Sequence, residues 1–380
     1  MYWTWKINGE TYVSWGEPRN IENLKITDLK PDYSVKIYSG QEIQSHESVL
    51  FMMQGDATLG MGDSIWLISF MRDIYRIKGR RRCKFAFASS KVIQEFYSHF
   101  LPKTIEFLPD FITKKQFDSF TYHLPAMYYW KDESIADKSW VDNKSILQRL
   151  YDWTGMKYEG LPDFGEFTDE NVLYPKEEFY KKLEINKNDK YVFFQWHSSG
   201  HAKNLPPKSN IKLIRHIINK YKLKVYVIGR LDSLKALEKI PGVVNLANKT
   251  TGFDVFSLAF NAEFLVSPDS AGVHLGEAYK IPAVGILATL PPVYICSKYK
   301  IPTFMFGSGE CRYKPCGVVT HLPKDTRCPS NTGNYCKVLE EINLNLFDKC
   351  VTKTFEKRRE YKSRKPLNFY NAQEEPLVLE

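Results

Sequence analysis

Apolar runs of strand length alternate with amphipathic repeats in two separate parts of the chain, and a long interval between them keeps neither period. The second part is the clearer. Tyr191–Gln195 is an apolar run followed by a polar loop, WHSSGHAKNLPPKS, and then by a helical repeat through Ile211, Ile214, Ile217 and Ile218. Next come an apolar run over 225–228, Gly229-Arg230-Leu231-Asp232, a helix, a run through Val243, Val244, Asn245 and Leu246, and a helix over 253–260. The stretch 264–289 organises the whole. Phe264-Leu265-Val266 predicts a strand, and Ser267-Pro268-Asp269-Ser270-Ala271-Gly272 a tight turn. A helix through Val273, Leu275, Gly276 and Ala278 and a second strand near Ala283–Leu287 follow.

The first part repeats the theme. Val49-Leu50-Phe51-Met52-Met53 reads as a buried strand and runs into a glycine-rich turn that ends at Gly62-Asp63-Ser64. The amphipathic helix after it carries Ile65, Ile68, Ser69, Arg72 and Tyr75, with further strands over 83–88 and 105–108. Strands alternating with helices predict parallel, doubly wound sheets. Residues 1–45 differ: Tyr2, Trp3, Trp5, Tyr12, Val13 and Trp15 around Asn8-Gly9 predict a small β segment, with one more alternating run at Val35-Lys36-Ile37-Tyr38. From about 112 to 185 aromatics are frequent and periodicity is poor. A helix is expected over 145–153 and a polar linker over 181–190. Four units follow: a β-rich segment 1–45, a Rossmann-like domain 46–185, a second one with a cysteine-rich segment over 186–350, and a basic helix (355–365) with a tail to 380.

Composition narrows this picture only a little. A chain of 380 residues exceeds one typical core, and its 43% hydrophobic and 14% aromatic content describes an ordered protein. No apolar run reaches the ~20 residues of a membrane span, and MYWTWKINGE lacks the layout of a signal peptide. A cytoplasmic protein with reduced thiols is the expectation, and the odd cysteine count of seven argues against a disulfide framework. The net charge of +9 suits anionic substrates, membrane headgroups or nucleic acid without choosing among them. Arg80-Arg81-Arg82 is either a solvated face or a patch for an anionic acceptor or membrane surface.

The chemistry lies in the turns. Small residues around 267–272 let a ligand approach the backbone, and the unpaired N–H groups and dipole of a helix start favour an anion there, so a phosphate-bearing guest is expected. No Asp-x-Asp pair occurs, so a divalent ion bridging a diphosphate is not implied. His197 and His201 stand at i, i+4, but Ser199-Gly200 between them argues for a loop over a helical metal pair. Five late cysteines, Cys311, Cys316, Cys328, Cys336 and Cys350, are spaced unlike the close pairs of zinc ribbons. A structural zinc or iron and free packed thiols both stay open, while Cys83 and Cys296 sit in apolar surroundings that suit core residues.

Several motifs, in order, resemble the ADP-heptose heptosyltransferases of lipopolysaccharide synthesis, glycosyltransferase family nine. They are Met61-Gly62-Asp63-Ser64, His197-Ser198-Ser199 with Lys203-Asn204-Leu205-Pro206, Gly229 with Asp232, Val244-Asn245-Leu246-Ala247, and Pro268 through Leu275. The resemblance implies a GT-B fold: two facing Rossmann-like domains around a central cleft, here with the small N-terminal β segment and the cysteine-rich C-terminal region added. It also implies inverting transfer of a sugar from a nucleotide-diphosphate donor such as ADP-heptose, with no cofactor required. The acceptor would be a glycan hydroxyl of lipopolysaccharide type, reached in the cytoplasm or peripherally at the inner membrane. By the same resemblance Asp63, beside Gly62 of the glycine turn, is the general base. Lys203 holds the diphosphate with Ser198 and Ser199, and Asp232 binds the nucleotide ribose. Asp269, Ser270, Gly272 and His274 form the donor turn.

The residues themselves leave other roles open. Asp63 would also serve as a helix cap, and Asp269 as a cap or a loop anchor. His274 would equally be a buried core histidine, and Lys203 a surface lysine. The chain has Lys203-Asn204-Leu205-Pro206 where the family often has Lys-x-Trp-Pro, and Asp where its ribose ligand is more usually Glu. The extra β segment and the cysteines loosely resemble heptosyltransferases that modify autotransporter proteins. A protein or a modified DNA base therefore stays open as acceptor, and a non-catalytic nucleotide-sugar-binding protein is the rival from another class.

Overall fold

The computed structural model describes residues 2–15, 27–32, 47–53, 61–78, 83–125, 148, 151, 164, 168–198, 203–229, 235–288, 292, 299–312 and 335–364. The strands are β1 (Tyr2–Ile7), β2 (Glu10–Trp15), β3 (Thr27–Asp32), β4 (Ser48–Met52), β5 (Lys84–Ala88), β6 (Glu106–Leu108), β7 (Phe111–Thr113), β8 (Tyr122–Pro125), β9 (Tyr191–Gln195), β10 (Lys224–Ile228), β11 (Val243–Asn245), β12 (Phe264–Pro268), β13 (Ala283–Leu287) and β14 (Thr303–Phe306). The helices are α1 (Met61–Lys78), α2 (Lys91–Tyr97), α3 (Lys114–Asp118), α4 (Glu170–Leu173), α5 (Glu177–Leu183), α6 (Pro207–Tyr221), α7 (Lys235–Glu238), α8 (Gly252–Phe260), α9 (Ala271–Tyr279) and α10 (Leu344–Arg364).

The first half is a parallel sheet in the order β6-β5-β4-β8, and both of its faces are apolar. Val49, Phe51, Phe85 and Phe87 alternate toward α1, where Ile65, Ile68, Phe70 and Met71 meet them. Leu50, Met52, Ala86 and Ala88 point the other way, so this face also needs cover. The cover is a second sheet, ordered β3-β1-β2-β7, which seats Val13 and Ile112 on it beside Phe117 and Phe120. The N-terminal β segment therefore supplies a layer of the first half. Strand β7 belongs to it through antiparallel pairing with β2, Val13 opposite Ile112. On its other side Trp5 is fully buried, stacked on Tyr12 with centroids 5.2 Å apart, and its indole donates to Ser14 Oγ at 3.2 Å.

The second half is a six-stranded parallel sheet, β11-β10-β9-β12-β13-β14. Its strands run outward in both directions from the central pair β9 and β12, so the loops after these two strands part there and leave a crevice. Val192 and Phe194 pack on one side with α6 and α10, and Tyr191 and Phe193 on the other. Along its length α10 is fastened to the last strands. Thr354 Oγ1 accepts from Ala283 N at 3.1 Å and donates to Ile301 O at 2.8 Å.

One apolar cluster runs from the first half into the second. Phe96 and Phe100 after β5 meet Phe256 of α8, with Phe100 and Phe256 centroids 4.7 Å apart, and Phe100 also meets Phe164, which packs on Tyr279 of α9. Backbone bonds tie the seam: Phe164 N to Ala278 O at 3.2 Å and Asp169 N to His99 O at 2.7 Å. Lys182 Nζ reaches the buried Asp254 carboxylate at 2.6 Å, and Asp254 also completes a capping box with Thr251.

Some boundaries differ from expectation. Lys181-Lys182-Leu183 is the last turn of α5, not linker, and Glu184 ends that helix in the left-handed region at φ 55°. Helix α10 starts at Leu344, well before 355. Strand β3 went unread because Asp28, Lys30 and Pro31 hide its alternation. The expected run at 35–38, most of the helix at 145–153 and the tail beyond 364 lie outside the described residues.

Candidate active site

The turn from β12 into α9 is shaped by a residue the motifs do not contain. Gln195, at the end of β9, accepts from Gly272 N at 2.9 Å and from Ser267 Oγ at 3.0 Å through Oε1. Its Nε2 donates to Ser270 Oγ at 2.8 Å and to His197 O at 2.9 Å. One amide side chain thus ties the β9 loop to the β12 turn across the crevice. Gly272 is needed for the fit, since a Cβ there would stand 2.7 Å from Ser267 Cβ. Part of the anion-site expectation changes as a result. The Gly272 N–H bonds Gln195 and Val273 N bonds Ser270 O at 3.2 Å, which leaves Ala271 N as the helix-start donor without a partner among the described residues.

Lys203 and Asp269 come together, with Nζ 2.7 Å from Oδ2 and the side chains only 18% and 9% exposed. Asp269 therefore holds a neighbouring loop, one of the roles its sequence left open. Asn204 closes the same loop by accepting from Ser198 N at 2.6 Å and donating to Ser198 O at 3.2 Å. Leu205, where the family often has tryptophan, is buried in the core of the second half. Ser199, His201 and Asp232 lie outside the described residues.

His274 is buried, with its Nδ1 2.7 Å from the Tyr299 hydroxyl and its ring edge-on to Trp66 at 4.7 Å. Trp66, on α1, donates from Nε1 to the same Tyr299 oxygen at 3.0 Å. Burial first, and then the Lys203 charge, drive the imidazole down to about 4 against the opposing pull of Asp269. The partner is a phenol, not the backbone expected of a core histidine. Three residues on, the fully buried Glu277 carboxylate accepts from Lys280 Nζ at 2.7 Å and from the backbone N of Lys300 and Ile301 at 2.8 and 2.9 Å. The segment that carries Tyr299 is thereby anchored to α9.

The first half enters at Gly62. A Cβ built on it would be 3.0 Å from His274 Cδ2 and 3.8 Å from Ala271 N, so the first turn of α1 lies directly on the first turn of α9. Asp63 stands in that turn, past the N-cap position. Tyr97, wholly buried, lies beside Ser64. Burial and the nearby Asp63 charge push its phenol up, against a lowering contact with Ser64.

The sequence model of glycosyltransferase family 9 (heptosyltransferase) matches residues 157–303, which hold the β9 loop, the turn from β12 into α9 and His274. A family 9 glycosyl transferase from Veillonella parvula is similar in structure at 12% identity, TM-score 0.55, covering 83% of this chain and 99% of that one. The iron-containing dodecameric glycosyltransferase TibC from enterotoxigenic E. coli is similar at 14% identity and TM-score 0.54, covering 93% and 96%. A complex of TibC, described as a heptosyltransferase, with ADP-D-beta-D-heptose gives the same TM-score of 0.54. A search of curated proteins finds no match. The chain has the GT-B fold of these structures, and over residues 157–303 it is similar to the heptosyltransferase family.

Of the late cysteines, Cys311, Cys336 and Cys350 are among the described residues. Cys350 is a core thiol in α10 with Sγ 3.8 Å from Phe304 O, and burial pushes it above the ordinary thiol range. Cys336 packs against the same core, Cys316 and Cys328 lie outside the described residues, and among those described no three His, Cys, Asp or Glu side chains gather as a metal site. No described helix is long and apolar enough to cross a membrane. Gln195, Trp66, Tyr299, Glu277 and Tyr97 escaped the sequence reading. Gln195 alone had a signal, as a polar residue ending the strand that borders the crevice.

Proposed function

We propose that this glycosyltransferase moves a heptose or related sugar from a nucleotide-diphosphate donor, such as ADP-heptose, to an acceptor hydroxyl with inversion at the anomeric carbon. The contact of the α1 and α9 first turns supports this reading best, because it brings the turn that carries Asp63 against the start of α9. Asp63 takes the acceptor proton as the acceptor oxygen bonds to the anomeric carbon. The bond from that carbon to the diphosphate oxygen breaks, and the nucleotide diphosphate leaves with the electron pair. Ala271 N, the α9 dipole and Lys203 face the charge that develops on it, with Ser198, Ser270 and His274 beside them. Asp232 is assigned to the ribose. The parting of the loops between β9 and β12 supports this donor site, because nucleotides in open parallel sheets usually bind at such a crevice.

The acceptor follows the family resemblance: a glycan hydroxyl of lipopolysaccharide type, approached from the first half. TibC in its complex holds ADP-D-beta-D-heptose, which makes that donor the first to try. A panel of nucleotide sugars should raise the unfolding temperature for one donor, and that donor with core glycan should release nucleoside diphosphate. Asp63→Asn should abolish release and keep the thermal protection. Turnover that survives Asp63→Asn removes the base assignment, and a panel without protection or turnover removes the donor reading.

A further inference from the structure

Among the described polar side chains, one hydrogen-bonded set crosses between the two halves and holds His274 of the proposed donor site. Trp66 belongs to α1, His274 to α9, and Tyr299 stands between them with its oxygen 3.0 Å from Trp66 Nε1 and 2.7 Å from His274 Nδ1. An indole N–H can only donate, so the Tyr299 oxygen accepts from Trp66. Donation of the Tyr299 O–H to Nδ1 then satisfies both bonds at once and leaves the imidazole proton on Nε2. That nitrogen lies 3.4 Å from where a Cβ on Gly62 would sit, on the side where the two helix starts meet.

We propose that Tyr299 is a positioning residue that locks His274 in the Nε2–H tautomer and aims that N–H at the donor diphosphate, with Trp66 of the facing half completing the lock. The aim at the diphosphate rests on the proposed donor site, whereas the tautomer lock stands on its own geometry. Glu277 sets the position of Tyr299 by fixing the next two backbone N–H groups, Lys300 and Ile301. The lock makes His274 a donor that stays neutral, which suits hydrogen bonding to a phosphate oxygen without competing for the proton that Asp63 removes. The charged and titratable groups around the ring are Asp63 on α1, Asp269 and Lys203 at the turn, and Tyr299 itself.

Ring nitrogen shifts of the full-length protein carrying 15N-histidine, with His274 assigned by its loss in His274→Asn, read the tautomer without any substrate. The native ring should show a protonated Nε2 and a bare, hydrogen-bonded Nδ1. Tyr299→Phe should shift Nδ1 toward its unbonded position and let both tautomers populate. Trp66→Phe should do the same to a smaller extent, and it serves if Tyr299→Phe fails to fold. In turnover Tyr299→Phe should lower kcat/KM about tenfold, the scale of one oriented hydrogen bond. The acid limb of its pH profile should move up as the ring loses a donor to its neutral form. A native ring protonated on Nδ1, or shifts unmoved by both variants, overturns the lock. Shifts that move while donor affinity and kcat/KM stay native overturn the aim at the diphosphate. An inactive native protein with the expected shifts would instead count against the donor site.

Discussion

Acid should destabilise this protein through His274 by an amount the structure sets. Its ring is 3% exposed, too little for solvent to screen, and is driven down to about 4, while an unfolded histidine titrates near 6.5. Between those values the unfolded chain binds a proton that the folded one refuses, so stability is whole above about pH 6.5 and falls as the pH drops toward 4. The shift of about 2.5 units, at about 1.4 kcal/mol each, caps the loss at about 3 kcal/mol. At pH 5 the unfolded ring is nearly all protonated and the folded one about a tenth, for a loss of about 2 kcal/mol relative to pH 8. The assay is urea unfolding at pH 8 and pH 5 for the native protein and for His274→Asn, which keeps an acceptor for Tyr299 and has no proton to gain. Surface carboxylates affect both proteins alike, so the difference between the two pH dependences isolates the ring. That difference should be about 2 kcal/mol, with the native protein the more acid-sensitive. Parallel curves would falsify the claim that the folded ring stays neutral.

Two further changes test the frame of the site. Gln195→Ala removes four hydrogen bonds and strands the Gly272 N–H at the start of α9, so urea unfolding should show a loss of about 2 kcal/mol and donor titration a weaker affinity. Native donor affinity in that variant would show that the turn holds its shape without the glutamine. Gly307→Ala would put a Cβ 2.0 Å from the Val338 carbonyl oxygen, a backbone atom pinned by the Gly309 N–H at 2.9 Å. A cost of about 3 kcal/mol in urea unfolding is expected, and a cost under about 1 kcal/mol would mean that the segment yields.

What could be read from the sequence divides along a physical line. The second half was legible because its strands are buried on both sides and read as short apolar runs. The crevice follows from their order, and Lys203, Asp269, Ser270, Gly272 and His274 do converge there. What failed was pairing at a distance. Strand β7 is three residues long, too short for a period to show, and its partner β2 lies about a hundred residues earlier. The aromatics after 112 looked aperiodic because Phe164 packs against Phe100 from the first half and Phe256 and Tyr279 from the second, and no local spacing encodes that. Tyr299 is one of 23 tyrosines and carries no motif, so only its contacts single it out.

The same contacts bear on how the two halves work together. Halves joined by a small polar seam would be expected to swing freely, but here one apolar cluster runs through the join at Phe96, Phe100, Phe164 and Phe256. A rotation of one half against the other has to break part of that cluster. Gly62 against His274 and Trp66 on Tyr299 extend that join to the helix starts, where Trp66 and Ala271 belong to the same cluster. A rotation that lifts α1 from α9 would separate Asp63 from the donor turn and release the indole bond that helps orient His274. Base and donor contact would then be lost together and regained together. Under the proposed roles of Asp63 and His274, closure would complete the site, and an open form would leave His274 less well aimed and Asp63 out of reach of the acceptor.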